Sequence, residues 1–319
     1  MEYTAVIRTL GKAGEKYRIL LDSLYSQTIP PKEVIVYIAK GYPVPKEASG
    51  AEKYVYVSKG MVAQRAVRYD EVNTEYILML DDDLYLAEDA VEDMAGALCE
   101  ADADVVSPDV YANHKRSRTG KMMMFLSGRM RPRRDDGKWG YKVMRDGGYS
   151  YNASPSKKIY LSQTNAGACC LCRKEDFLRL HFEDELWLDE VSYPLGEDQT
   201  MYYKMYLSGL KVITFYTDKV VHMDAGTSIP GTEKEKMMIY SDFRFKMIFW
   251  HRFIFLPDRG FSRIYDVMSI MYMLMFGFLV SAVKLRFDVL SVKFSSVRDA
   301  CRFIRGSRYR SLSRISPEI

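Results

Sequence analysis

The sequence predicts an α/β protein with a doubly wound, mostly parallel central sheet, flanking helices and a helical carboxyl-terminal extension. Two observations indicate this class. Up to about residue 111, short β-rich runs alternate with segments whose apolar residues recur at helical spacing. After about residue 229, the sequence becomes helical, aromatic and basic. The 319 residues therefore suggest a sheet domain over 1–228 and an extension over 229–319.

Each element is predicted from its own pattern. Apolar runs rich in β-branched and aromatic residues predict strands at 4–10, 30–40, 52–58, 75–82 and 104–111. Helical spacing of apolar residues predicts helices at 12–27, 60–72 and 87–101. Further along, we expect a strand and a short helix within 158–177, a helix at 196–209, and strands at 211–216 and 219–223. In such sheets, ligands bind beyond the carboxyl ends of the strands.

Composition excludes several classes of protein. Hydrophobic residues make up 48% and charged residues 28% of the chain, as in globular rather than disordered proteins. The net charge of +4 does not by itself indicate a nucleic-acid-binding protein. Three of the five cysteines lie within 169–172, which favours core residues on a strand in a reducing compartment over disulfides or a zinc site. No signal peptide is predicted.

The region 113–151 interrupts the alternation of strands and helices. Between 115 and 145 it holds eleven Lys or Arg and two acids. We expect a long basic loop that either closes over an anionic ligand or remains solvated. Its aromatic residues are candidates for stacking on sugar rings: Trp139, Tyr141, Tyr149 and Tyr151.

The clearest chemical signal follows the strand predicted at 75–82. The stretch YILMLDDDLYL has Asp81, Asp82 and Asp83 directly after an apolar run. Adjacent carboxylates repel each other, and a divalent cation that prefers oxygen ligands relieves that repulsion. Mg²⁺ or Mn²⁺ would bind one or two of these carboxylates together with substrate phosphates. The alternative is a solvated turn that caps the next helix.

Two later features add to this signal. Glu197 and Asp198 begin a predicted helix, where acids are also ordinary first-turn residues. His222 ends a predicted strand, and a lone histidine is more often structural than functional. The order of the three features along the chain indicates an enzyme site more strongly than any one of them.

In that order, the motifs resemble family two glycosyltransferases of the GT-A fold. The resemblance covers about residues 1–225, through LLDSLYSQTIPPKEVIVY, SKGMVAQRAV, EYILMLDDD, NAGACCLCRKEDF and LGEDQTMYYKMYLSGLKV. It implies an inverting transfer of a sugar from a nucleotide-sugar donor to a hydroxyl group. The implied cofactor is Mn²⁺ or Mg²⁺, and the implied donor is UDP-linked. The acceptor would be a glycan or a lipid-linked molecule in cell-surface polysaccharide or glycolipid synthesis, and no nucleic acid is expected.

The resemblance also implies roles for individual residues. Asp198 matches the catalytic base, and Glu197 would share or orient that role. Asp83 matches the direct metal ligand, with Asp81 and His222 as further metal contacts. Donor contacts are implied for Thr9, Gly60, Arg65, Asp81 and Asp82. Acceptor contacts are expected from Trp187, Tyr193 and Gly167. Partial burial beside apolar neighbours would raise the pKa of Asp198.

The sequence departs from the family pattern at three positions, one of them after the ED pair, where Tyr202, Tyr203 and Lys204 stand and the arginine often found in the family is absent. The second strand ends in YIAKGYPVP, without the aspartate that commonly reads the nucleotide base. Arg65 is followed by Ala66, where the family has an asparagine. Two other functions therefore stay open: a nucleotidyltransferase on a similar sheet, and a non-catalytic protein that binds sugar or nucleic acid.

The carboxyl-terminal extension contains a candidate membrane segment. Residues 267–283 form a stretch of 17 residues without a charge, and 284–319 holds nine Lys or Arg against three acids. This pattern predicts a cytoplasmic protein associated with the inner face of the plasma membrane. The alternative is a core-packing helix followed by a solvated basic tail.

Overall fold

The protein is described here by a computed structural model that covers residues 1–110, 118–126, 130–133, 137–165, 167–223 and 233–313. The strands are β1 Tyr3–Thr9, β2 Glu33–Ala39, β3 Lys53–Val57, β4 Tyr76–Asp81, β5 Leu84–Leu86, β6 Val105–Pro108, β7 Met130–Arg133, β8 Trp139–Val143, β9 Tyr149–Asn152, β10 Ile159–Ser162, β11 Cys169–Arg173, β12 Val212–Phe215 and β13 Val220–His222. The helices are α1 Glu15–Tyr25, α2 Ala90–Ala101, α3 Arg118–Leu126, α4 Lys174–Leu178, α5 Glu197–Leu207, α6 Glu233–Phe249, α7 Ser262–Val283, α8 Phe287–Arg305 and α9 Ser307–Ser311. A 3-10 segment, Phe182–Glu190, precedes α5, and a π-helical segment, Trp250–Phe255, follows α6.

The central sheet confirms the predicted fold class. Within the described residues, its eleven strands run in the order β3-β2-β1-β4-β11-β6-β12-β10-β8-β9-β7. Neighbouring strands are parallel in most pairs, including the run from β3 to β4, and β11 is antiparallel to both β4 and β6. The buried cysteines Cys169, Cys170 and Cys172 lie on β11 and are free, as predicted for core residues.

The register of two parallel strands brings charged residues together at one edge of the sheet. Arg8 near the end of β1 lies opposite Asp81, the last residue of β4. Because β1 and β4 are parallel, both strands end at the same rim of the sheet. The acidic turn after β4 therefore begins beside Arg8 and Thr9.

A small second sheet returns the chain to this rim. The strands β5 and β13 pair antiparallel, with His222 opposite Leu84. The backbone N–H of Met223 donates to the carbonyl oxygen of Asp83 at 2.9 Å. A residue far along the sequence is thereby held beside the acidic turn.

The helix predicted over 60–72 is wrong. These residues form a series of turns, in which Gln64 N donates to Gly60 O, and both Arg65 N and Ala66 N donate to Val62 O. Gln64 is buried and its amide donates to the carbonyl oxygens of Thr9 and Tyr37 at 2.9 and 3.0 Å. These tertiary contacts satisfy the buried polar groups in a way that a regular helix would not, and they outweigh the local periodicity.

The loop predicted over 113–151 is also wrong for the residues that the structure describes. The strands β8 and β9 lie in this region and extend the sheet, while 113–117, 127–129 and 134–136 fall outside the described residues. Tyr141 packs against Tyr149 and Tyr151, with ring centroids 5.9 and 6.3 Å apart. Trp139 meets Tyr206 edge to face at 5.9 Å. The aromatic side chains thus pack on neighbouring rings, which argues against the predicted stacking of these rings on sugars.

The carboxyl-terminal helices pack on the 3-10 segment that precedes α5. Arg244 on α6 donates to the carbonyl oxygen of Trp187 at 3.0 Å and pairs with Glu190 at 2.8 Å. The rings of Trp187 and Phe303 are 5.9 Å apart. The helices therefore support the region that leads into Glu197. The predicted boundary at 228 lies outside the described residues and stays a prediction.

Candidate active site

The rim of the central sheet carries a cluster of charged side chains. The carboxylate of Asp81 accepts two hydrogen bonds from Arg8, from Nε to Oδ1 at 2.5 Å and from Nη2 to Oδ2 at 3.1 Å. Arg65 adds a third contact, from Nη2 to Asp81 Oδ1 at 3.3 Å. Both oxygens of Asp81 are therefore engaged by guanidinium groups, which argues against its predicted metal contact.

Arg65 joins the acidic turn to the start of α5. Its Nη1 lies 2.5 Å from Glu197 Oε1 and 2.9 Å from Asp198 Oδ1. Its Nη2 donates to the carbonyl oxygen of Gly167 as well as to Asp81. Arg8 also reaches Glu197, at 3.0 Å. Asp81 of the DDD motif thus belongs to one network with Glu197 and Asp198 of the ED motif. Arg65 lies at the centre of this network.

Burial and the charges of this network shift the pKa values of Glu197 and Asp198 in opposite directions. Two arginines face the three carboxylates of Asp81, Glu197 and Asp198, so one negative charge is in excess if all are ionised. Burial raises the pKa of Glu197 well above its usual range despite both arginines, and the Asp198 carboxylate adds to the shift.

Asp198 has a lowered pKa. Burial opposes its ionisation, but Arg65 and the hydrogen bond with Glu197 outweigh this effect and lower its pKa to about 2. The expectation of a raised pKa is therefore wrong for the protein without substrate. A carboxylate with so low a pKa is a weak base, so base catalysis needs a change in its surroundings.

Asp83 and His222 form a second part of the rim. The Oδ1 of Asp83 and the Nε2 of His222 are 3.3 Å apart, and both side chains are mostly buried. Asp83 comes from the acidic turn and His222 from the end of β13. Each offers an atom that binds Mn²⁺ or Mg²⁺ when the histidine is neutral.

Asp82 has a different environment. It accepts a hydrogen bond from the hydroxyl group of Thr9, which in turn accepts the backbone N–H of Gly11 at 2.8 Å. Burial raises the pKa of Asp82 to about 6, and the neighbouring Asp83 and Asp81 add to the shift while Thr9 opposes it. Asp82 and Thr9 thus tie the acidic turn to the end of β1.

Asp189 holds the turn that carries Arg65. Its carboxylate accepts the backbone N–H of Ala63 at 2.8 Å and of Val62 at 3.1 Å. A Cβ atom at Gly60 would lie 2.1 Å from Asp189 Oδ2, so only glycine allows this close approach. Gly60, predicted as a donor contact, therefore has a packing role in this structure.

Gly167 lies directly against the two central side chains. A Cβ atom there would be 1.8 Å from Asp198 Oδ1 and 2.9 Å from Arg65 Nη1. The absence of a side chain is what lets Arg65 reach both the Gly167 carbonyl oxygen and Asp198. The predicted acceptor contact of Gly167 stays a prediction.

The two aromatic residues predicted for the acceptor differ in position. Trp187 is 0% exposed and its indole N–H donates to Glu185 at 2.7 Å, which argues against a direct acceptor contact. Tyr193 is partly exposed, and Lys234 lies 5.4 Å from its ring centroid. Tyr193 therefore remains available to a ligand, whereas Trp187 is part of the core.

Sequence reasoning missed Arg8 and Asp189. Arg8 interrupts the apolar run of TAVIRTL, and a charge inside a central strand is a usable signal because it must find partners. Asp189 lies among other acids in FEDELWLDE, where nothing distinguishes it in sequence. Its role follows only from the approach of the 3-10 segment to the turn at 60–63.

Among the described side chains, no three or more Asp, Glu, His or Cys converge as a metal cluster. The pair Asp83 and His222 still fits a metal that is bound partly by its substrate. Mg²⁺ commonly keeps one or two protein ligands and takes its remaining ligands from phosphates and water. The residues present thus suit a metal that arrives with a diphosphate, not a closed protein cage.

The mostly parallel central sheet with its flanking helices has the GT-A fold predicted from the sequence. The sequence model of the family described as "Glycosyl transferase family 2" matches residues 55–175, which confirms over that segment the resemblance predicted from the motifs. A search of curated proteins finds no match by sequence.

Two solved structures are similar to the chain in fold. The crystal structure of S. aureus TarS 1-349 has a TM-score of 0.50 and 14% identity, and the alignment covers 96% of this chain and 91% of that one. The crystal structure of GalNAc-T7 with UDP, GalNAc and Mn²⁺ has a TM-score of 0.50 and 12% identity. That alignment covers 86% of this chain and 56% of GalNAc-T7. At these identities, the comparison supports the glycosyltransferase fold and leaves the substrate open.

Proposed function

We propose that this protein is an inverting, metal-dependent glycosyltransferase that moves a hexosyl group from a nucleotide-sugar donor to a hydroxyl group. The observation that carries the proposal is the position of Arg65, which contacts Asp81 at 3.3 Å and Asp198 at 2.9 Å. One side chain thus links the acidic turn, which would hold the metal and diphosphate, to the carboxylate that would accept the proton. A transfer reaction needs these two functions in the same cleft.

Asp83 and His222 would hold the metal. Their facing atoms are 3.3 Å apart, which is close to the separation of about 3 Å between adjacent ligands of a Mg²⁺ or Mn²⁺ ion. When bound, the ion would act as a Lewis acid toward the leaving diphosphate. Asp82 and Thr9 would keep the turn in place, and Asp81 would orient Arg8 and Arg65 toward the donor.

Asp198 would act as the general base, and Arg65 would control its strength. In the protein without substrate, Arg65 helps to lower the pKa of Asp198 to about 2. A donor diphosphate competes for the same guanidinium group because phosphate oxygens are strong bidentate partners of arginine. Loss of the Arg65 contact would raise the pKa of Asp198 and prepare it to accept the proton of the acceptor hydroxyl. Glu197 would help to orient Asp198 through Arg65, whose Nη1 contacts both carboxylates.

The donor class follows from the proposed metal and from a similar fold. GalNAc-T7 was crystallised with UDP, GalNAc and Mn²⁺, which supports UDP as the first nucleotide to test. A glycan or lipid-linked acceptor in cell-surface polysaccharide or glycolipid synthesis would suit an enzyme at the inner face of the plasma membrane. Tyr193, which is partly exposed, is the aromatic candidate for acceptor contact.

The test is a thermal-shift screen of nucleotide sugars with and without Mn²⁺, followed by a transfer assay with the donor that binds. We expect the shift to require Mn²⁺ and to be lost in Asp83→Ala. Asp198→Asn should keep the shift and lose transfer. Asp22→Ala is the matched control, since this acid is 72% exposed and lies away from the cluster. Transfer at the wild-type rate by Asp83→Ala or Asp198→Asn would overturn the assignment of that residue.

A further inference from the structure

Helix α7 exposes a long apolar face to solvent. The exposed side chains on this face recur every three or four residues and include Ile264, Met268, Met271, Met275, Leu279 and Val283. Met268 and Met275 are 61% and 63% exposed, and Val283 is 73% exposed. Exposed apolar patches of this extent on a folded protein mark an interaction surface.

The apolar surface continues onto α8. The rings of Phe278 on α7 and Phe294 on α8 stack with centroids 4.4 Å apart. Phe287 and Phe294 are 65% and 59% exposed and lie on one stripe of α8. We call the exposed apolar residues of α7 with Phe287 and Phe294 the α7–α8 face.

Cations surround this face. From 259 to 305, the exposed charged residues are one acid, Asp288, and six cations: Arg259, Arg263, Lys284, Arg298, Arg302 and Arg305. Asp288 already pairs with Arg286 at 3.3 Å. Helical spacing puts the last three arginines on the stripe of α8 that carries Phe294. A second copy of the chain would bring like charges together here, whereas anionic lipid headgroups complement them.

The opposite side of α7 is tied to the protein by polar contacts. Asp266 is 0% exposed and pairs with Arg145 at 2.7 Å. Lys293 of α8 donates to the carbonyl oxygen of Gly277 at 2.6 Å and to the hydroxyl group of Ser281 at 2.8 Å. If α7 crossed a bilayer, these polar contacts would have to break or be transferred into the hydrocarbon core. Either change costs free energy.

We propose that the α7–α8 face lies in the interface of an anionic membrane, with the axis of α7 in the plane of the bilayer. Among the described residues, α7 is the one helix that is long and apolar enough to cross a membrane, and only 28% of its apolar stretch is buried. Its inward side, however, is fixed to the domain by the polar contacts of Asp266, Gly277 and Ser281. The amphipathic arrangement is that of a helix lying on a membrane. This inference deepens the proposed membrane localisation and is independent of the transfer chemistry.

The test uses the full chain, because α8 and α9 contribute Phe303 and Tyr309 to the core and truncation would uncover Trp187. Co-sedimentation is measured with vesicles of phosphatidylcholine alone and of phosphatidylcholine with phosphatidylglycerol. We expect binding to the anionic vesicles that weakens as salt rises. Met268→Glu/Met275→Glu should lower the affinity by about tenfold or more. Val44→Glu/Tyr56→Glu, at exposed apolar positions of the sheet domain, should bind like wild type.

A second measurement keeps the proposal testable if the double variant unfolds. Met271→Trp should be quenched by brominated lipid in anionic vesicles beyond the wild-type signal, and Tyr56→Trp should not. Binding that is unchanged in Met268→Glu/Met275→Glu would overturn the proposal. So would a wild-type dimer in light scattering that becomes monomeric in this variant without any vesicle binding. Resistance of membrane-bound protein to alkaline extraction would contradict the in-plane arrangement. The thermal shift caused by the donor in the absence of vesicles tests the catalytic site separately from membrane binding.

Discussion

Arg8 and Asp81 face each other across two neighbouring parallel strands and share two hydrogen bonds, of 2.5 and 3.1 Å. The pair is mostly buried, with 11% and 21% of the side chains exposed. In the sequence, Asp81 looks like one of three equivalent acids. In the structure, it is the acid whose partners are arginines, so its main role is to fix Arg8 and Arg65 at the rim.

The Arg8–Asp81 pair leads to a prediction about stability. Asp81→Asn removes the charge between two arginines, and we expect a loss of about 2–3 kcal/mol in the free energy of unfolding, since breaking a buried ion pair costs more than the pair contributes. Urea unfolding followed by circular dichroism measures this change. Asp22→Asn, at a side chain that is 72% exposed, should change it little. A neutral effect of Asp81→Asn would show that the arginines do not depend on this carboxylate.

The pH dependence of turnover tests the proposed role of Arg65. Folding lowers the pKa of Asp198 from 3.8 to about 2, so the stability that its ionised form contributes is present above pH 3.8 and is lost as the pH falls toward 2. In the free enzyme, Asp198 is therefore ionised at all practical pH values. The profile of kcat/KM for the donor reports the free enzyme and should show no acidic limb from Asp198.

The profile of kcat should differ. If the donor draws Arg65 away, the pKa of Asp198 rises in the complex, and kcat should fall at the acidic end of the range. Steady-state kinetics across that range measures both profiles with one set of assays. An acidic limb at the same pH in both would contradict the proposal, because it would show that donor binding does not change the base.

The sequence predicts the parts of this site that depend on strand order and misses those that depend on tertiary contact. Alternating strands and helices imply a common rim, and the apolar run before Asp81 locates the acidic turn on it. The pattern at 60–72 is helical, but Asp189 and the buried Gln64 impose turns there. Asp189 belongs to a distant segment, so no local pattern identifies it.

Glycine at position 167 should be essential for transfer. A Cβ atom would lie 1.8 Å from Asp198 Oδ1, so Gly167→Ala must displace Asp198 or Arg65. We expect kcat to fall by about two orders of magnitude, since a shift of about 1 Å at a catalytic group can cost this much. The KM for the donor should change less. Gly96→Ala is the control, because nothing lies within 4 Å of a Cβ atom placed there. Its helix should become more stable by up to about 1 kcal/mol.

Asp189 should act as a positioning residue for Arg65. Asp189→Ala leaves the N–H groups of Val62 and Ala63 without their carboxylate, and we expect a loss of about 1–2 kcal/mol in stability. Because the turn carries Arg65, kcat should also fall, and the acidic limb of the kcat profile should move. Asp189→Asn retains an acceptor oxygen and should restore most of both properties. If Asp189→Ala lowers stability but leaves kcat and its pH profile unchanged, Asp189 is structural only.

His222 should determine how much metal the enzyme requires. Its Nε2 lies 3.3 Å from Asp83 Oδ1, and a proposed site with two protein ligands loses half of them in His222→Ala. We expect the Mn²⁺ concentration for half-maximal transfer to rise by about 10–100-fold, with a smaller change in rate at saturating metal. His181→Ala is the matched control, since this histidine is 69% exposed and its ring contacts the nearby Glu183. Titration of the transfer rate with Mn²⁺ measures the effect. An unchanged midpoint in His222→Ala would show that His222 is not a metal ligand, and Asp83 would then be the sole proposed protein ligand in the described residues.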